Sequence, residues 1–236
     1  MDSYLTPRRR TILLFTWAAG CVDAIVYMAG HVFTANMTGN AVLLGISLGT
    51  NLSMATLHSV VALITFILGV LAGAILVGEK GHGIPWRGMR IAAIIEMVVM
   101  GMFAGVFFLP FPLTHEGMIH ALIVLSAFAM GLQSATVKRL NLPGIATTYI
   151  TGTMTSLISG LVHHWGSADE LELEQESTGL DPSVALQAWV FILYALAAIV
   201  SAVGYRRWPA IVALLPFLAS VGVTISVYKQ HPPKST

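Results

Sequence analysis

Eight apolar runs separated by short polar breaks organise the chain: residues 11–30, 38–49, 54–77, 91–109, 118–137, 145–162, 184–204 and 209–228. A helix rises 1.5 Å per residue, so a hydrocarbon layer of about 30 Å takes roughly 20 apolar residues to cross. The first, third, fourth, fifth, seventh and eighth runs reach that length. The second is too short, and the sixth is borderline. The pattern predicts an all-α integral membrane protein, a single membrane domain over 1–236, with six spanning helices and two short broken or re-entrant ones.

The break after the first run is a compact polar insert. Asn36, Thr38 and Asn40 place three hydrogen-bonding side chains within five residues, with Gly39 between two of them. A related phrase follows the fifth run, with Tyr149, Thr151, Gly152 and Thr153. A short run follows a long one in both places, and Gly20-Cys21-Val22-Asp23 aligns in position with Gly131-Leu132-Gln133-Ser134. The order predicts an internal duplication, residues 11–109 and 118–228.

Composition removes the soluble alternatives. The chain is 56% hydrophobic and 10% charged, with mean hydropathy +0.80, against about 25% charge in an average soluble domain. A net charge of +1 gives no reason to expect nucleic acid. The twelve Lys and Arg residues act instead as topology signals. If all eight runs cross, Arg8, Arg9, Arg10, Lys229 and Lys234 face Lys80, Arg87, Arg90, Lys138, Arg139, Arg206 and Arg207, and no orientation emerges. If the second and sixth runs return to the side they left, only Arg206 and Arg207 stand opposite the rest. A seven-span plan in which only the sixth run crosses scores equally but breaks the duplication. Six spans with both termini inside is preferred. Three spans per half then make the halves inverted, a plan in which broken helices meet near the midplane. No small-residue cleavage site follows the first run, so it reads as a retained span.

Few residues offer chemistry. Asp23 lies well inside the first run, and a carboxylate there is costly unless paired, protonated or facing water. It admits a structural hydrogen bond to another helix or a cation or proton site. Glu96 is six residues into the fourth run and can reach the interface. His58 and His120 lie near run ends and read as interfacial. Gln133 and Ser134 are placed to face the first break across the duplication. Asn36, Thr38, Asn40, Thr151 and Thr153 admit a capping reading, with Thr38 capping the second run, or a polar site between two helix N-termini.

Residues 163–182 form an acidic stretch without Lys or Arg, a solvated loop or a place for a protein partner. Cys21, alone, reads as a packing residue. The adjacent His163-His164 lacks the one-turn spacing of a helical metal motif, and no cofactor or metal is expected.

Gly20-Cys21-Val22-Asp23-Ala24, Phe33-Thr34-Ala35-Asn36-Met37-Thr38-Gly39-Asn40 and Thr151-Gly152-Thr153-Met154-Thr155 together resemble the YoaK-like family of bacterial multi-pass transmembrane proteins. The resemblance covers nearly the whole chain. It implies a protein of about six spans in the bacterial cytoplasmic membrane and supplies no activity. The expectation is a transporter or channel for a small solute or ion, proton- or cation-coupled, without enzymatic chemistry. Asp23, Asn36, Thr38, Asn40, Gln133, Ser134, Tyr149, Thr151 and Thr153 are its candidate binding residues, and Glu96 is secondary. The alternative is a non-transporting scaffold or assembly factor that binds a partner through the acidic loop.

Overall fold

The computed structural model describes residues 7–78, 86–112, 114–140, 152, 154–159, 162 and 182–229. Its regular structure there is helical: α1 (Pro7–Gly30), α2 (Met37–Gly49), α3 (Ser53–Val77), α4 (Trp86–Val106) and α5 (Glu116–Leu140) come first. They are followed by α6, of which residues 152, 154–159 and 162 are described, then α7 (Pro182–Tyr205) and α8 (Pro209–Lys229). Six of these are long and apolar enough to span: α1, α3, α4, α5, α7 and α8. Their outward residues, such as Ile64, Leu71 and Ile75 of α3, are exposed and meet lipid. The fourth run is shifted from its expected bounds. Its helix begins at Trp86, because Trp86, Arg87 and Arg90 form an interfacial first turn that hydropathy alone clips off.

α1 packs on α5, α7 and α8; α5 packs on α1, α3 and α4; α4 also meets α3 and α8, α2 meets α3, and α7 meets α8. Residue contacts give the relative directions. Gln133 donates to the Phe15 carbonyl near the start of α1, while Gly30 at its end lies against Ile119 and Ile123. α1 and α5 are therefore antiparallel. Thr11 bonds Ser226, and Leu14 covers Gly222, so α1 and α8 are antiparallel too. Thr224 donates to the Ala93 carbonyl and Phe217 covers Gly101, which makes α4 and α8 antiparallel. Gly69 faces Phe128 and Gly131, and Gly73 faces Leu132 and Ala135, so α3 and α5 run parallel.

These directions decide the crossing number. Eight crossings would make α1 and α5 parallel. Seven, with only the sixth run crossing, would make α1 and α8 parallel. Six satisfy every pair. The start of α1 and the end of α8 consequently share one face with Arg8, Arg9, Arg10, Arg87, Arg90, Lys138, Arg139 and Lys229, and Arg206 and Arg207 lie on the other.

Small residues set the closest approaches. A Cβ on Gly69 would collide with the Phe128 carbonyl, and one on Gly131 with the Phe66 carbonyl. Backbone thus meets backbone between α3 and α5, as small-residue spacing permits in lipid. Gly101 packs on Phe217, but open space surrounds Gly105, so the small residues of α4 do not make an interface of the same kind.

In a Cys21→Ser background, Arg206→Cys and Phe111→Cys are expected to react with an impermeant maleimide added to intact cells. Arg87→Cys and Lys229→Cys should react only after permeabilisation. Equal labelling of Arg87→Cys and Arg206→Cys in intact cells would contradict the six-span path.

Candidate functional site

The second helix does not cross. Its 13 residues extend about 20 Å, and its far end is tied to the start of α3, where Thr56 donates to Ser47 at 2.9 Å. The start of α3 is level with the end of α1, because His58 Nδ1 lies 3.1 Å from the Gly30 carbonyl. Between α1 and α2 the chain turns at His31, whose φ is 55°. It then dips back until residues 34–36 reach Asp23, seven positions and about 10 Å below the end of α1. The break is a re-entrant loop followed by an outgoing helix.

A loop at that depth has no water for its amides, and each unpaired backbone group in hydrocarbon costs several kcal/mol. Asp23 supplies the missing acceptors. Its Oδ1 accepts from the Thr34 and Ala35 amides, both at 2.7 Å, and its Oδ2 from the Asn36 amide at 3.2 Å. The Tyr194 hydroxyl on α7 donates to the same Oδ2 at 2.5 Å. Asp23 is only 3% exposed, and the N-terminus of α2 adds a favourable dipole beside it.

Asn40 closes the loop from the other side. Its Oδ1 accepts from the Phe33 amide at 2.9 Å, and its Nδ2 donates to the Phe33 carbonyl at 2.5 Å. Phe33 then stacks on Tyr27, with ring centroids 4.9 Å apart.

The structure redistributes the roles expected from sequence. Asn36, not Thr38, caps α2: its side chain accepts from the Gly39 amide at 3.3 Å, while Thr38 is exposed on the first turn. The N-cap acceptor must precede the helix to reach the amide of its third residue, and α2 already begins at Met37. Asn40 is fully buried against Phe33. Gln133 does not face the break; it donates to the Phe15 carbonyl, deeper along α1. Ser134 bonds the Met130 carbonyl of its own helix. Tyr149, Thr151 and Thr153 lie outside the described residues, as do residues 163–181 of the acidic stretch.

Glu96 does not reach the interface. Because α4 starts at Trp86, Glu96 sits at the middle of a 21-residue helix. It is 1% exposed, and its Oε1 has no hydrogen-bond partner among the described residues.

Two features were not singled out from sequence. Tyr194 is one aromatic residue within an apolar run, and nothing local marks it as a partner of Asp23. His58, Glu116 and His120 come together at the ends of α3 and α5 away from the basic face; only the one-turn spacing of Glu116 and His120 signals that grouping.

Asn40→Ala strands the Phe33 N–H and C=O, which is expected to cost about 1–3 kcal/mol per buried group. In detergent its unfolding midpoint should fall well below that of Thr38→Ala, which should match the parent protein. Equal losses from the two substitutions would return the stabilising role to Thr38.

Comparison with known proteins follows the same extent. Residues 11–226 match the family described as "Protein of unknown function (DUF1275)". The chain is 33% identical over 220 residues to the UPF0700 transmembrane protein YoaK of Bacillus subtilis (strain 168), covering 92% of this chain and 93% of that protein. No solved structure matches. With a matched region that reaches from the first span into the last and takes in the Asp23-anchored break and Asn40, the chain belongs to the DUF1275 family of transmembrane proteins.

Proposed function

We propose that the protein is a transporter for a small solute or ion, built from two inverted halves and coupled to protons through Glu96. The observation that carries this reading is Glu96 itself: a carboxyl group buried at the middle of a span, one oxygen of which has no partner among the described residues. Ionisable groups in that position are costly and mark ion or proton paths. Asp23, with both oxygens engaged, serves as the latch of the broken helix instead of the coupling site.

The inverted plan rests on correspondences between helices. Exchanging each helix for the one four places along the chain turns α1·α7 into α3·α5, α1·α8 into α4·α5 and α3·α4 into α7·α8, and returns α1·α5 and α4·α8 to themselves. The correspondence reaches single residues. A Cβ on Gly20 would lie 2.5 Å from the Tyr194 carbonyl oxygen and 3.0 Å from Ala197. Gly131, its counterpart, is pressed in the same way against the Phe66 carbonyl and lies near Gly69. Tyr194 thus takes the place of Phe66, and Asp23 that of Ser134. The Tyr194–Asp23 bond joins α7 of the second half to α1 of the first, so rocking of one half against the other would have to break it. In this reading the basic face is cytoplasmic, the membrane is the bacterial inner membrane and no residue is catalytic.

A second reading, the non-transporting scaffold, draws on the same completeness at Asp23: a carboxylate that satisfies a loop needs no substrate to explain it.

Proteoliposomes with a trapped pH-sensitive dye separate the two. Concentration jumps of a panel of amino acids, sugars and small carboxylates should include some that move protons across the parent protein. Those responses should fall at least about tenfold in Glu96→Gln, the loss expected when a required proton-transfer group is removed. Solute-evoked proton movement unchanged in a folded Glu96→Gln variant would refute the coupling. No response to any solute would favour the scaffold.

A further inference from the structure

At the outer ends of the helices, away from the basic face, His58 of α3 meets Glu116 and His120 of α5. Their ligand atoms all lie within 4.8 Å of one another. His58 is 6% exposed, whereas the Glu116 side chain is 54% exposed and open to solvent.

The hydrogen bonds of the two histidines fix their chemistry. His58 Nδ1 faces the Gly30 carbonyl at 3.1 Å, and His120 Nδ1 the Glu116 carbonyl at 2.7 Å. A carbonyl accepts only, so each Nδ1 carries a hydrogen and each neutral ring presents a lone pair at Nε2. His58 Nε2 points that lone pair at Glu116 Oε2, 3.3 Å away. Two acceptors face each other, and a cation has to lie between them or a proton has to be added. Histidines that hold a metal ordinarily donate their other N–H to a carbonyl or carboxylate in this way. The 3.3 Å separation is also the edge of a tetrahedron whose metal–ligand bonds are about 2.0–2.1 Å. The rings of His58 and His120 lie 5.0 Å apart at 76°, and His120 Nδ1 lies 3.9 Å from Glu116 Oε2, so the His120 ring has to turn to bring its lone pair to the ion.

We propose that His58, Glu116 and His120 bind a divalent transition-metal ion of the Zn2+ type at the outer face, with solvent in the fourth position. Imidazole nitrogen and carboxylate oxygen in this ratio suit Zn2+ and its neighbours, not Mg2+ or Ca2+, which take oxygen ligands. Bound there, the ion ties α3 to α5 and, through the His58–Gly30 bond, to the end of α1 where the re-entrant loop starts.

The test is calorimetric titration of Zn2+ into untagged, chelator-stripped protein in detergent, with unfolding followed in parallel. The parent protein should take up one Zn2+ per chain and unfold at a higher temperature with it, and excess Mg2+ should not compete. Glu116→Gln and His120→Gln alter exposed or half-buried positions that leave the helices intact, and each should weaken binding at least about tenfold. His58→Asn, whose amide stands near the Nδ1 position that faces Gly30, should do the same. No uptake by the folded parent protein would overturn the site and assign the cluster to a protonated His58–Glu116 pair. Affinity unchanged in both Glu116→Gln and His120→Gln would overturn it equally.

Discussion

A backbone that re-enters hydrocarbon must find its hydrogen-bond partners inside the protein, and this constraint organises the first third of the chain. Asp23 meets it by accepting three consecutive amides of the loop. Asn40 meets it for both backbone groups of Phe33. Asn36 does so for the first turn of α2. The carboxylate and the loop are mutually dependent: without the amides Asp23 would be an uncompensated acid at depth, and without Asp23 the loop would have to leave the membrane. The short α2 exists because this arrangement lets the chain turn inside the bilayer instead of crossing it.

The bundle around the loop is held by contact of a different kind. Lipid tails are as apolar as the helices, so association relies on close packing. Gly69, Gly73 and Gly131 bring α3 and α5 together backbone to backbone, and Gly20 does the same for α1 and α7. Both pairs run parallel in the six-span path and meet side by side at the antiparallel contact of α1 with α5. Tyr194 joins the two systems. It belongs to the helix that Gly20 admits, and its hydroxyl completes the coordination of Asp23.

The six spans were legible because hydrocarbon thickness translates directly into run length, and the short second run was legible for the same reason. The position of the cap was not. Thr38 and Asn36 are both good capping residues, and a difference of two positions depends on where the loop pulls the chain into the helix. Glu96 was misjudged by hydropathy, which begins the fourth span at Ile91 and ignores the amphipathic turn from Trp86. Counting from the true start moves the carboxyl from the edge to the middle. The partnership of Asp23 with Tyr194 and the meeting of His58 with Glu116 and His120 span long stretches of sequence, and only helix packing brings them together. The charge pattern favoured six crossings without excluding seven; the antiparallel contact of α1 with α8 excludes it.

Hydrogen exchange in the peptide covering residues 31–40, followed by mass spectrometry in lipid nanodiscs, tests the anchoring role of Asp23 most directly. The amides of Phe33 to Asn36 should be strongly protected in the parent protein. In Asp23→Ala they should exchange rapidly, while peptides from α3 and α5 keep their protection. Equal protection of residues 31–40 in the two proteins would contradict the account, because the loop would then be held by something other than the carboxylate.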